Sequence, residues 1–167
     1  MKNYNLSFGS DLKAFHEQEL VKRNENKPLF VTYYPQEIKF FNMKLNSDNQ
    51  KVVNSADLLL PYSGEAVGAA EREENFTILF DRFMRSDMLH LMCEAVRKEN
   101  KRYEAMQEQE LKKECFNRFK WYFDLVKSRP VKHAGCGIGL NRITQCFLKT
   151  NDIRLSTVYY LNSETLF

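Results

Sequence analysis

The sequence predicts an α+β fold, a mainly antiparallel sheet flanked by helices. Three observations carry that expectation. β-branched and aromatic runs recur between turn signals over residues 29–70, residues 71–128 hold almost no Gly or Pro, and a glycine-spaced strand with a helix behind it follows at 133–149.

The elements follow in order. Residues 10–24 read as a helix, since Ser10 can cap it and Leu12, Phe15, Glu19 and Leu20 recur near helical spacing. Residues 29–34 form a β-rich run stopped by Pro35, and residues 39–45 a second strand candidate. Asn46 to Asn49 is turn chemistry, because Asn, Ser and Asp side chains bond to their own backbone. Strands are expected at 52–60 and at 64–70; the second carries two Gly and three Ala, so something must approach its backbone closely. Residues 71–128 predict two or three helices, ended by Pro130. Within them, 97–113 alternates acids and bases and reads as a solvated arm. A strand at 133–139, a helix at about 141–149 and a β-rich tail at 155–161 complete the chain.

At 167 residues the chain reads as one domain that buries roughly two-thirds of its unfolded surface. A formal net charge of +3, with both signs interspersed, gives no case for nucleic-acid binding on its own. No apolar run approaches the ~20 residues of a membrane span, and the first ten residues lack the apolar core of a secretory signal. A cytoplasmic or organelle-matrix protein that is neither secreted nor in a membrane is expected. Cys93, Cys115, Cys136 and Cys146 show no metal-ligand spacing, nor do His16, His90 and His133; reduced, mostly buried thiols are expected. For His133 a structural hydrogen bond is preferred to acid–base work, and for Trp121, Tyr122 and Phe123 helix packing to base stacking.

Two constellations carry chemistry. Gly135, Gly137 and Gly139 alternate into a helix start at Leu140-Asn141-Arg142, which bares one sheet face to a flat ligand. Arg142 falls in the first helical turn, where a cation gains nothing from the helix dipole, so stacking on a base or pairing with phosphate suggests itself. Asp57, Glu65 and Gly68, followed by Arg72, set two carboxylates near a small-residue floor, a pattern able to hold Mg²⁺ on phosphate oxygens. From spacing alone, a strand-end turn and a capped helix with ordinary surface acids is the favoured reading.

Together these segments resemble the catalytic core of asparaginyl-tRNA synthetases, the asparaginyl/aspartyl branch of class II. The resemblance rests on Phe30 to Leu45, on Asp57-Leu58-Leu59 with Gly64-Glu65 and Arg72-Glu73, on Trp121 to Leu125, on Asn151 to Arg154, and on His133 to Arg142, which resembles motif 3. It is collinear from about Phe8 to the C-terminus. It implies ATP and Mg²⁺ as cofactors, with Glu65 as the metal ligand and Asp57 its supporting acid. It further implies that Gly68 and Gly137 line the amino-acid pocket, that Arg72 holds the substrate side chain, and that Gly139, Leu140, Asn141 and Arg142 wall the adenine with Arg142 stacked on it. Glu65, Arg72 and Arg142 would be the catalytic groups. Motifs 1 and 2 and the anticodon-binding domain lie upstream of the matched region in that family, so a single partial domain over 1–167 is expected, with a charged helical insertion within about 85–114.

The departures are specific. Asn42 stands where an aromatic follows Phe41, Gly68-Ala69-Ala70-Glu71 replaces Gly-Gly-Ser-Gln, Asn141 replaces the motif 3 glutamate, and the terminal Phe-Pro-Arg is lost at 158–162. Two functions follow as expectations. One is aminoacyl-adenylate formation from ATP and an Asn- or Asp-type amino acid, then tRNA charging, with a partner chain supplying motifs 1 and 2. The other is an inactive paralogue serving as a binding or structural module in a larger assembly. In that family the sheet continues through strands contributed by motif 2, so the resemblance implies an unpaired strand edge here and with it a homo- or hetero-oligomer. For the Lys-rich 97–120 stretch, helix solvation is preferred over tRNA contact.

Overall fold

The computed structural model describes residues 6–99 and 101–159. Strands β1 (Leu29–Thr32), β2 (Ser55–Leu60), β3 (Gly64–Glu71) and β4 (Ala134–Ile138) form one sheet in that order, antiparallel throughout. Helices α1 (Ala14–Arg23), α2 (Phe76–Met84), α3 (Asp87–Glu99), α4 (Lys101–Glu104), α5 (Glu108–Ser128) and α6 (Leu140–Leu148) surround it, so the chain is α+β.

The helical block is four segments rather than two or three, and it holds the apolar core. Phe83, Leu79, Leu89, Val96, Leu111, Cys115 and Phe123 are buried between α2, α3 and α5, and Phe41 joins them from the loop after β1. The 97–113 arm is charged outside, as expected, but seated on a buried seam through Leu111. Arg118 also clamps it, forking both its terminal nitrogens onto Glu99 at 2.8 Å. Burial pushes the Cys115 thiol up to about 12, beside Cys93 at 3.5 Å. Both thiols are free and buried, whereas Cys136 is exposed. Of the three aromatics at 121–123, Phe123 is fully buried while Trp121 is 68% exposed, so only part of that run packs.

Four expectations are corrected. Ser10 does not cap α1, which begins after Lys13, whose backbone N–H donates to His16 Nδ1 at 3.0 Å. Residues 39–45 are not a strand: after a 3₁₀ turn at Gln36–Ile38, Lys39 turns toward the sheet and Phe41 into the helical core, leaving only single bridges from Met43 to Arg72 and Leu45 to Val53. The first strand ends early because Tyr33 takes φ 57°. Residues 155–159 are no strand either; a 3₁₀ turn at Ile153–Ser156 is wound by Asp152, which accepts from the Arg154 N–H at 3.0 Å and its guanidinium at 2.8 Å, while 160–161 lie outside the described residues. The 46–49 turn is as expected, Asn46 Oδ1 accepting from the N–H groups of Asp48 and Asn49.

Candidate functional site

The site is built by a register irregularity in the sheet. On β2, Ser55, Asp57 and Leu59 share one buried face, and their partners on β3 are Ala70, Gly68 and Glu65. Gly68 and Glu65 are three apart, so strict alternation would send them to opposite faces. The bulge between Leu58 and Leu59 absorbs Ala66 as an extra residue and turns Glu65 onto the face of Asp57. Gly68 is what lets the carboxylates meet: a Cβ there would stand 2.9 Å from Glu65 Oε1 and 3.4 Å from Asp57 Oδ1.

Asp57 is 3% exposed and is held from its other oxygen, Lys39 Nζ donating to Oδ2 at 2.7 Å. The same ammonium sits 3.8 Å over the Tyr34 ring. Burial of the Tyr34 hydroxyl, and then the Asp57 charge, push its ionisation far above the ordinary range. Partial burial, and then the Asp57 charge, hold the Glu65 carboxyl above its usual value, against the pull of Lys39. At the start of β3, Gly64 at φ 69° carries Glu17 against its backbone, a Cβ there falling 2.5 Å from Glu17 Oε2, which accepts the Glu65 N–H at 3.0 Å.

The glycine row of β4 is less bare than its spacing suggests. Gly137, directly opposite Gly68, is open, but Gly135 is covered by the Arg72 guanidinium, a Cβ there falling 3.0 Å from Nη2 and 3.2 Å from Nε. Gly139 donates its N–H to the Ala66 carbonyl at 2.8 Å. Arg72 Nη1 donates to Asn42 Oδ1 at 3.1 Å. Arg142, exposed in the first turn of α6, donates to the Ser63 carbonyl at 3.0 Å beside Gly64; Leu140 and Asn141 are exposed on the same turn. Buried Gln145 ties α6 to the same turn, its amide donating to the Tyr62 carbonyl at 3.1 Å.

The structure thus brings Asp57, Glu65, Gly68 and Gly137 together, sets Arg72 one sheet row away over Gly135, and puts Arg142 at the opposite end near Gly64. Sequence reasoning missed Tyr34, Lys39 and Glu17. The signal for Lys39 was a single cation in the aromatic run after Pro35. Glu17 is turned onto the Gly64–Glu65 backbone, and among the described residues no group of three His, Cys, Asp or Glu could hold a metal ion, so Asp57 and Glu65 make a poor all-protein cage. They fit Mg²⁺, which keeps several waters and takes one or two carboxylates plus substrate phosphate oxygens.

Residues 5–162 match the family profile of tRNA synthetases class II (D, K and N). The asparagine–tRNA ligase of Clostridium botulinum (strain Eklund 17B / Type B) is 38% identical over 91% of this chain and 27% of its own length. That of Clostridium tetani is 34% identical over 90% of this chain and likewise 27% of its own length. The chain therefore spans about a quarter of the curated relatives it matches. Pyrococcus horikoshii asparaginyl-tRNA synthetase superposes with a TM-score of 0.74 and 28% identity, covering 99% of this chain and 33% of that one. Its complex with asparaginyl-adenylate gives 0.70 and 29%, over 93% of this chain and 30% of that one. No helix among the described residues is long and apolar enough to cross a membrane. Profile, relatives and fold agree: the chain belongs to the class II tRNA synthetases (D, K and N) and is asparaginyl-tRNA synthetase-like.

Proposed function

We propose that the chain binds ATP–Mg²⁺ and an Asn- or Asp-type amino acid, and supplies this part of the site for aminoacyl-adenylate formation and tRNA charging. The observation that carries the reading is the convergence of Asp57 Oδ1 and Glu65 Oε1 above Gly68, beside open Gly137. Bound Mg²⁺ would spread the developing charge of the phosphate being attacked. Asp57 and Glu65 would hold it, Arg72 would orient the amino-acid side chain, and Arg142 would leave Ser63 to face the nucleotide. None of these side chains reacts covalently; they position and neutralise while the amino-acid carboxylate attacks the α-phosphate and pyrophosphate leaves.

The remainder of the core, with motifs 1 and 2, is proposed to come from a partner chain, and the chain itself is proposed to form a homo- or hetero-oligomer. In support, Phe30, Leu58, Val67 and Ile138 stand in cross-strand register as one apolar row on the sheet face opposite Asp57, with Phe30 64% and Ile138 55% exposed. The row ends at both sheet edges, β1 and β4, whose outer sides have no strand beside them among the described residues. Self-association should show as a concentration-dependent mass in solution scattering; a monodisperse monomer at moderate concentration removes the homo-oligomer and leaves the partner chain.

A second reading, an inactive paralogue kept as a binding or structural module, is favoured by the Arg72–Asn42 hydrogen bond and by Asn141 at the start of α6. Calorimetry with ATP–Mg²⁺ separates the two. Micromolar binding, weakened about tenfold or more (1.4 kcal/mol) in both Glu65→Gln and Arg142→Ala, supports the nucleotide site. No heat and no thermal shift at millimolar ATP leaves the paralogue.

A further inference from the structure

Arg72 is half-buried, and among the described residues no carboxylate lies within ion-pair distance of it. A guanidinium partly removed from water is normally matched by an acid. This one lies flat on the Gly135 backbone, where a side chain would displace it, and its Nη1 is taken by the Asn42 carboxamide oxygen at 3.1 Å. The backbone of Asn42 is fixed as well, its carbonyl accepting the Glu73 N–H at 3.0 Å. Its neighbour Phe41 is anchored in the helical core. A neutral amide accepts a hydrogen bond from Arg72 but leaves its charge unmatched.

We propose that Asn42 is a built-in stand-in for a ligand's side-chain amide: its carboxamide occupies Arg72 Nη1, and an incoming carboxamide or carboxylate must displace it to bind. The inference rests on the proposed role of Arg72 as holder of the amino-acid side chain. It makes Asn42 a specificity- and affinity-setting residue whose chemistry copies that of asparagine itself. Displacement forfeits a hydrogen bond to a charged group, which weakens binding by about tenfold relative to a free Arg72.

The test is calorimetric titration of L-asparagine and L-aspartate into the full chain, for wild type, Asn42→Ala and Asn42→Asp, with circular dichroism confirming the fold of each. Asn42→Ala should bind about tenfold more tightly than wild type, and Asn42→Asp more weakly, since its carboxylate would hold Arg72 permanently. A merely structural Asn42 predicts that both variants lose affinity. If wild type binds and Asn42→Ala binds equally or more weakly, the stand-in is overturned while the role of Arg72 survives. If none of the three binds either amino acid at millimolar concentration, that role and the inference fall together. Should Asn42→Ala not fold, tighter rather than weaker binding by Asn42→Asp would overturn the inference by itself.

Discussion

Phe123→Ala is expected to lower stability by about 4 kcal/mol, the usual cost of emptying a buried aromatic site. Phe123 is fully buried, with ring centroids of Phe116 at 5.0 Å, Phe83 at 5.2 Å, Phe76 and Phe80 at 6.2 Å and Phe41 at 6.3 Å around it. Rings that already touch one another on several sides cannot all close in on the space left, so the cavity term adds to the lost transfer energy. Against a typical total of about 5–15 kcal/mol this is a large fraction, and the melting temperature should fall by about 10 °C. The consequence reaches the site, because Phe41 stacks on Phe123 and sits between Lys39, which holds Asp57, and Asn42, which holds Arg72. Trp121→Ala, two residues away on the exposed face of α5, should change stability by no more than about 0.5 kcal/mol. Denaturant unfolding of both variants checks the contrast; a Phe123→Ala loss below about 1 kcal/mol would mean the aromatic cluster is not the centre of the core.

The parts of this fold that are legible in the sequence are those that local pattern determines. Strands at 52–60, 64–70 and 133–139 need only their alternation and turn residues, and the α5 helix needs only the absence of Gly and Pro. What escaped is decided by long-range pairing. Residues 39–45 carry a strand's composition, yet Lys39 is drawn to a buried carboxylate and Phe41 to a distant helical core, and these two demands cannot be met by a straight ladder. The same limit applies at the carboxylates. Asp57 and Glu65 can be named by resemblance, but their meeting depends on a one-residue bulge that no spacing announces; read by strict alternation, Glu65 would have pointed away from Gly68. Likewise the alternating glycines 135, 137 and 139 suggest one bare face, whereas Arg72, an ordinary-looking residue after β3, covers the first of them. Tight turns, by contrast, write their chemistry locally: Asn46 bonds its own backbone as its composition says.

Lys39→Met carries the second large effect. Its ammonium is the close cation of Asp57, whose side chain is 4% exposed, while that of Lys39 is 19% exposed. Removing one partner of a buried ion pair leaves the other charge without compensation, a loss of about 3–5 kcal/mol, and the partial exposure of Lys39 sets the expectation here at about 3 kcal/mol. The Glu65 carboxylate over Gly68 adds like-charge repulsion that Lys39 now offsets. The double variant Lys39→Met with Asp57→Asn should recover most of the loss, since it removes the orphaned charge along with its partner. A single-variant loss below about 1 kcal/mol would show that Lys39 does not hold the buried acid. The pair also reports on the proposed metal. Mg²⁺ entering between Asp57 and Glu65 competes with the ammonium in wild type and has no competitor in Lys39→Met, so added Mg²⁺ should raise the melting temperature of the variant more than that of wild type. Equal shifts would mean that the cation binds elsewhere on the surface, and no shift in either protein would remove the metal from the Asp57–Glu65 pair.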